Sequence, residues 1–327
     1  MAGIKDVARL AGVGVGTVSR AINNKGYVSK ETKEKIVKAM KELDYTPNEL
    51  ARNLYRKKSG IVAVLVPTIS HPFFAEFVNC LEIELRERGY KTMICNTAKE
   101  RKYELDYLQM LKQYVVDGVI TGVHSLDIKE YLEIDMPIVA LDRYIGDNIP
   151  VVSVDHIHGG FCAAKELIRC GCKKVVQIQG AKKVESPAQE RHAEFERVLQ
   201  EEGIEIYSYE LEWNKFDAAY FNEFAKKVYH EHPDADGMFG TDLLALGYMK
   251  AAQENGKSVP KDLKIVAYDG TQVTDLVYPT ITTIKQPIHK LAKEAVRLII
   301  HKIDGTKKID KRIQLEAVLV RGDSTKC

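Results

Sequence analysis

From Gly60 onward, short apolar runs alternate with longer stretches in which apolar residues recur every three or four positions. The runs are IVAVLVP (61–67), YKTMICN (90–96), DGVITG (117–122), PIVALD (137–142), VVSVD (151–155), KVVQIQG (174–180), EIYSYEL (205–211), GMFGTD (237–242), KIVAYDG (264–270) and ITTIKQ (281–286), with IQLEAVLVR (313–321) last. Runs of this length, rich in β-branched residues and bounded by turn residues, predict strands. Strands alternating with amphipathic helices predict parallel sheets with helices on both faces. The ten runs before IQLEAVLVR are already too many for one sheet of usual size, and the series divides after Asp155. We therefore expect an α/β body of two doubly wound parallel-sheet lobes. Lobe 1 takes about 60–155 and 287–313, and lobe 2 about 156–286 and 314–327. Crossovers are expected near Asp155–Ile157, Gln286–Ile288 and Ile313–Leu315.

The first 59 residues lack this alternation. Ile4, Val7, Ala8 and Ala11 stand at i, i+3, i+4 and i+7, the spacing of one buried helix face. The following GVGVGTVSRAIN places Gly14 and Gly16 in the first half of a dinucleotide-loop pattern, with Ser19 at the third position. Such a loop must follow a strand, and a helix precedes this one. The segment reads instead as a helix, a glycine turn and a second helix from near Val15–Thr17 to Asn23, which is a helix-turn-helix. Ser29 is a suitable N-cap for a third helix over Thr32–Leu43, whose Ile36, Ala39, Met40 and Leu43 share a face. Pro47 ends that unit, and NELARNLYRKK predicts a short basic helix with Leu50, Ala51 and Leu54 on one side. The expected domains are an all-α head at 1–46, a hinge helix at 47–59 and the body at 60–327.

Charge sharpens this division. The net charge is +2, yet residues 1–60 hold 13 Lys and Arg against 6 Asp and Glu, leaving 35 against 40 elsewhere. A basic head on a mildly acidic body suits a phosphate-binding module joined to a sensor. No apolar run approaches the ~20 residues of a membrane span, and residues 1–10 lack a signal-peptide core, so a cytoplasmic protein without membrane partners is expected. Six cysteines lack a CxxC pair, and Cys170 and Cys172 are too close for an unstrained bridge, so reduced thiols are expected. Motifs for a nucleophile elbow, a P-loop or a zinc protease are absent from the sequence. The pairs His156/His158 and His230/His232 have no third ligand at useful spacing. We expect no enzyme activity, no metal and no cofactor.

In open α/β sheets ligands sit beyond the carboxyl ends of the strands, at the cleft between lobes. That rule selects Ser70, His71, Pro72, Phe73 and Phe74, then Asp142, Arg143, Asp155, Thr241, Asp242, Asp269, Gly270 and Thr271. Carboxylates, an arginine and aromatics around one cleft suit a polyol: charged groups pair with vicinal hydroxyls and aromatic faces cover the C–H surface. Each of these residues also has a reading as a helix cap or strand-end turn.

DVARLAGV, TVSRAIN, VS, LDYTPN and LARNL resemble the headpiece of the lactose-repressor (LacI/GalR) family of bacterial regulators, and the likeness runs through the whole chain. The resemblance implies a periplasmic-binding-protein-like clamshell behind a DNA-binding head, with the helix at 288–303 returning to lobe 1. It implies that Val15, Gly16, Thr17, Ser19 and Arg20 contact bases or phosphates of double-stranded operator DNA in the major groove. Leu54 would wedge into the minor groove from both subunits, and Asn23, Tyr27 and Arg52 complete the expected DNA-facing set. In the cleft it implies that Arg191, Trp213 and Asp269 bind an effector, and the strand-end rule sets Phe73, Arg143 and Asp242 beside them. The effector would be a sugar or sugar phosphate, and NNKGYVS, RYIGDNIPVVSVDH and YDGT look most like the sucrose-operon branch, with ribose-operon regulators next. Departures from the family pattern are Gly14 for Ser, Gly16 for a longer side chain, Glu194 for Gly after Arg191, His156 for Asn and Thr241 for Asn. Without a leucine heptad after IQLEAVLVR, a homodimer is expected rather than a tetramer.

Overall fold

The computed structural model describes residues 2–23, 26–46, 58–97, 101–113, 116–123, 128–182, 186–213, 215–306 and 309–326. The chain forms two compact units, Met1–Ser59 and Gly60–Cys327.

The head contains α1 (Ile4–Ala11), α2 (Val15–Asn23) and α3 (Lys30–Glu42). Gly12 ends α1 in the left-handed region, at φ 66°, where glycine carries no Cβ penalty. The Val13 N–H then returns to the Ala8 carbonyl at 3.0 Å. Ser29 caps α3 by accepting from the Thr32 N–H, and the helix starts two residues before the expected Thr32. Val7, Ala8, Val18, Ile36 and Ala39 form a small buried core with Ile4, Ala11, Met40 and Leu43 packed on it. The hinge expected at 47–59, with Arg52 and Leu54, lies outside the described residues except for its last two positions.

Among the described residues the body forms twelve strands in two six-stranded sheets. The strands are β1 (Ile61–Val66), β2 (Lys91–Asn96), β3 (Gly118–Thr121), β4 (Ile138–Leu141), β5 (Val151–Val154), β6 (Lys174–Gln179), β7 (Glu205–Glu210), β8 (Gly237–Thr241), β9 (Lys264–Asp269), β10 (Thr282–Lys285), β11 (Arg312–Leu315) and β12 (Val318–Val320). Lobe 1 has the order β11-β5-β4-β3-β1-β2 and lobe 2 the order β12-β10-β9-β8-β6-β7. The body's helices are α4 (Pro72–Glu87), α5 (Arg101–Gln113), α6 (Ile128–Leu132), α7 (His156–Arg169), α8 (Glu190–Glu201), α9 (Ala218–Glu231), α10 (Asp242–Glu254) and α11 (Ile288–Ile303).

The central strand β1 shows why its sequence is continuously apolar. Val62, Val64 and Val66 join one core cluster, with Phe77, Leu81 and Leu85 of α4 and Leu291, Ala295 and Ile299 of α11. Ala63 and Leu65 join a separate cluster with Leu108, Leu111 and Tyr131. A strand covered on both faces needs no polar positions, and each fully buried Leu or Phe contributes ~1.5–3 kcal/mol. Helix α11 packs on α4, β3 and β4.

Two details differ from expectation. IQLEAVLVR is not one strand: β11 pairs parallel with β5, Arg312 opposite Val151 through Leu315 opposite Val154, and the chain changes lobe at Glu316–Ala317 rather than at 313–315. Strand β12 is antiparallel to β10. The cause is topological: β11 ends at the cleft, so the chain enters lobe 2 from the cleft and runs away from it, opposite to its neighbour. Cys170 is disulfide-bonded, against the expectation of reduced thiols, whereas Cys80, Cys95, Cys162 and Cys172 are free. Among the described residues no helix is long and apolar enough to cross a membrane, and no group of three or more potential ligands could hold a metal ion.

Candidate effector cleft and nucleic-acid interface

A cavity of about 220 Å³ opens between the carboxyl ends of the two sheets. Lobe 1 supplies Phe73 and Phe74 from the first turn of α4, and Asp142 from the end of β4. Lobe 2 supplies Arg191 from α8, Trp213 from the loop after β7, Thr241 from the end of β8 and Asp269 from the end of β9. Gln286, in the second crossover, lines it as well.

Asp269 is buried and sits at φ 115°, an unusual backbone angle for a residue with a side chain. The next residue must be glycine, because a Cβ on Gly270 would lie 2.6 Å from Lys285 Cα. Gln286 holds Asp269 twice, through Nε2 to Oδ1 at 2.8 Å and through its backbone N–H to the Asp269 carbonyl at 2.9 Å. Burial, and then the nearby Asp242 carboxylate, push the Asp269 carboxyl well above the usual range, while Arg191 opposes the shift. The guanidinium of Arg191 lies 4.1 Å over the Tyr268 ring, and its Nε donates to His192 Nε2 at 3.3 Å. His192 pairs through Nδ1 with Gln177 Oε1 at 2.9 Å. Burial holds His192 well below the usual histidine range, so its ring is neutral.

Two glycines fix this cluster. A Cβ on Gly160 of α7 would stand 2.1 Å from the Arg191 carbonyl oxygen, and one on Gly159 would stand 2.7 Å from the Tyr268 hydroxyl. Their absence of side chains lets α8 and β9 approach α7. The lobes also meet directly. His156 donates through Nε2 to Asp142 Oδ1 at 2.9 Å, and its Nδ1 pairs with the Tyr268 hydroxyl at 2.9 Å. Ser186 Oγ donates to the Asp142 carbonyl at 2.7 Å. Phe74 meets Phe216 edge-on at 6.0 Å, and His71 meets Phe221 at 5.9 Å.

Of the residues expected at the effector, Phe73, Arg191, Trp213 and Asp269 line the cavity together. Arg143 and Asp242 do not line it. Arg143 is buried on the far side of β4, donating to the Val123 carbonyl at 3.1 Å, 4.0 Å from the buried Glu104 and over the Tyr131 ring. A buried guanidinium needs a buried acid, and Glu104 supplies it there. Asp242 accepts from the N–H groups of Gly270 (3.3 Å) and Thr271 (2.8 Å) and from the hydroxyls of Thr271 and Thr283. Its carboxylate is thereby saturated, and it shapes the turn that presents Asp269. Asp155 caps α7 by accepting from the His158 N–H at 2.8 Å, the alternative reading given above. Sequence reasoning missed Gln286, Ser186 and Gly160. Gln286 carries a weak signal, a polar residue at a lobe crossover; the other two have none.

In the head, α2 turns Val18 into the core and leaves Val15 41% exposed, with Gly16 and Arg20 also exposed and Thr17 and Ser19 partly so. Arg20 reaches back along the helix, Nε to the Gly16 carbonyl at 3.3 Å, and Asn23 Nδ2 donates to the Ser19 carbonyl at 2.8 Å. Tyr27 is 90% exposed. The five residues thus share the solvent face of one helix, the geometry a groove-reading element needs.

Residues 3–48 match the lacI family of bacterial regulatory proteins, and residues 164–325 match a periplasmic binding protein-like domain. The chain is 39% identical to the ribose operon repressor of Halalkalibacterium halodurans, over 100% of this chain and 98% of that one. It is 41% identical to the sucrose operon repressor of Streptococcus mutans, over 93% of each. Among solved structures, a periplasmic binding protein/LacI transcriptional regulator from Alkaliphilus metalliredigens complexed with D-xylulofuranose is 30% identical, with a TM-score of 0.75 over 82% of this chain and 100% of that chain.

Proposed function

Because the chain belongs to the lacI family of bacterial regulatory proteins, we propose that it is a cytoplasmic, homodimeric repressor of a carbohydrate-utilisation operon, controlled by a small sugar held between its lobes. The observation that carries this reading is the interlobe cavity, where Arg191, Trp213 and Asp269 converge with Phe73 and Phe74. Polar groups held rigidly by Gln286, Tyr268 and His192 beside aromatic faces suit a ring of vicinal hydroxyls. The head supports the other half of the reading. The solvent face of α2, with Val15, Gly16, Thr17, Ser19 and Arg20, enters the major groove of double-stranded operator DNA, aided by Asn23 and Tyr27. The hinge at 47–59 follows the head at 1–46, its Leu54 and Arg52 engaging the minor groove.

An effector shifts such a protein between states only by its differential affinity for them. Contacts that span the cleft, such as Ser186 to Asp142, are the ones a bound sugar strengthens or breaks. We assign the effector to the sucrose or fructose type, in line with the sucrose operon repressor similarity. A ribose-responsive regulator is the second reading, favoured by the full-length similarity to a ribose operon repressor. Titration of sucrose, fructose and ribose against the fluorescence of Trp213, the single tryptophan, with and without operator DNA, tests both. A sugar that perturbs Trp213 and alters operator affinity is expected. A purine that does so while every carbohydrate is silent refutes the sugar reading.

A further inference from the structure

Among the described residues, His71 Nδ1, Thr241 Oγ1 and Gln286 Oε1 are buried with no hydrogen-bond partner. All three residues line the same cavity. His71 and Gln286 are more than nine-tenths enclosed, at 6% and 4% exposure. A buried polar atom left unpaired costs ~1–3 kcal/mol, and the great majority of such atoms in native proteins have a partner. Three on one cavity wall, from lobe 1, lobe 2 and the crossover between them, mark groups that a ligand satisfies.

Their chemistry restricts that ligand. Gln286 Oε1 is an amide oxygen and only accepts, and its Nε2 gives a hydrogen to Asp269. The Thr241 hydroxyl both donates and accepts. Burial lowers His71 to about 4, so it brings no positive charge at neutral pH. Asp142 and Glu212 line the cavity against Arg191 and Lys215, and burial favours the neutral form of Asp269, so the lining carries no excess of positive charge. The face of Arg191 is already engaged by Tyr268, and Lys215 is exposed at the rim.

Three of the wall helices, α4, α8 and α9, also disfavour an anion at their start. Helix α4 begins with Pro72, which has no N–H to give. Helix α8 begins with Glu190, α9 is capped by Asp217, and α10 opens with Asp242. Glu190 and Asp217 place a carboxylate where an anionic ligand would otherwise meet backbone N–H groups, whereas Asp242 turns its oxygens to Gly270, Thr271 and Thr283. The volume, about 220 Å³, is below the ~300–1,000 Å³ of sites for drug-sized molecules.

We infer that the cleft selects an uncharged, single-ring polyol and rejects its phosphate ester, with His71, Thr241 and Gln286 reading the hydroxyls that set this specificity. Hydroxyl groups donate to Gln286 Oε1 and accept from Thr241, whereas a phosphate dianion has no hydrogen to give Gln286 Oε1 and meets no excess of positive charge. The inference rests on the effector-binding reading proposed above.

The test uses the full chain and isothermal titration of D-fructose, fructose 6-phosphate, D-ribose, ribose 5-phosphate, sucrose, inorganic phosphate and adenine. One neutral monosaccharide is expected to bind, with its phosphate at least about tenfold weaker and inorganic phosphate silent. Thr241→Val and His71→Phe should each weaken the sugar about five- to a hundredfold, and Thr241→Ser should restore it. Because both atoms lack partners in the folded chain, neither substitution should lower the melting temperature of the sugar-free protein. Loss of thermal stability with unchanged sugar affinity would overturn the inference. So would equal or tighter binding of a phosphorylated sugar, or binding of sucrose alone, although either would leave the sugar-regulator reading standing. If no carbohydrate binds, both fail together.

Discussion

Gly160→Ala adds one methyl group to the face of α7, and the structure defines what it meets. The new Cβ stands 2.1 Å from the Arg191 carbonyl oxygen and 2.9 Å from its carbonyl carbon and Cα. Real Cβ contacts stop near 3.0 Å, so α7 and α8 must separate by about 0.9 Å at this point, the difference between 3.0 and 2.1 Å. No side-chain rotation relieves the clash, since every atom involved is backbone. Overpacking of this kind costs ~1–3 kcal/mol. The displaced residue is Arg191 itself, whose guanidinium now lies 4.1 Å over Tyr268. A shift approaching 1 Å breaks hydrogen-bond geometry that tolerates only a few tenths of an ångström. We expect Gly160→Ala to lower the melting temperature of the body and to weaken effector binding at least about tenfold. Operator binding without effector should be retained. Thermal melting, titration against Trp213 fluorescence and an operator-binding assay measure the three quantities. Wild-type melting with wild-type effector affinity would refute the claim that the α7–α8 approach positions Arg191.

The remaining predictions concern charge, the recognition helix and the hinge. Burial and Asp242 raise the Asp269 carboxyl above its unfolded value of ~4, so the stability contributed by its protonated form is full below pH ~4 and is lost as pH rises through the folded value. Melting temperature against pH should therefore fall more steeply above pH 5 for the parent protein than for Asp269→Asn; parallel curves would contradict the shift. Nothing lies within 4 Å of a Cβ built on Gly16, so Gly16→Gln should leave head folding intact and change the preferred operator bases in a selection experiment, and an unchanged preference would remove α2 from the groove. Leu54→Ala should cost about tenfold or more in operator affinity, with loss of DNA bending and unaltered effector binding; an unchanged bend angle would argue against a wedge.

Much of the architecture is legible because continuous apolar runs betray strands covered on both faces, as in β1 with its alternate valines packed on α4 and α11. The division of β11 from β12 is not legible, since IQLEAVLVR keeps one alternating pattern while its two halves pair with different sheets. At the cleft, the rule that ligands lie beyond strand ends finds Phe73, Thr241 and Asp269, but it cannot separate Asp269 from Asp242. Both are acids at the carboxyl end of a strand. One faces the cavity, and the other spends its oxygens on Gly270, Thr271 and Thr283, a difference set by neighbours remote in the chain. Arg143 is turned away for the same reason, by Glu104 on another element. Gly160 has no motif at all, because its significance is a helix approach visible only in three dimensions.

The central claim is that a sugar in the cleft and operator DNA at the head act on one equilibrium. The direct measurement is the pair of affinities in each order: operator affinity with and without saturating sugar, and sugar affinity with and without operator. Linkage requires the same factor in both, roughly 5- to 150-fold for typical coupling, and Asp269→Ala should abolish that factor by removing sugar binding while operator affinity in the absence of sugar persists. Sugar affinity that is indifferent to operator DNA, or a sugar effect on operator binding that survives Asp269→Ala, would contradict the account.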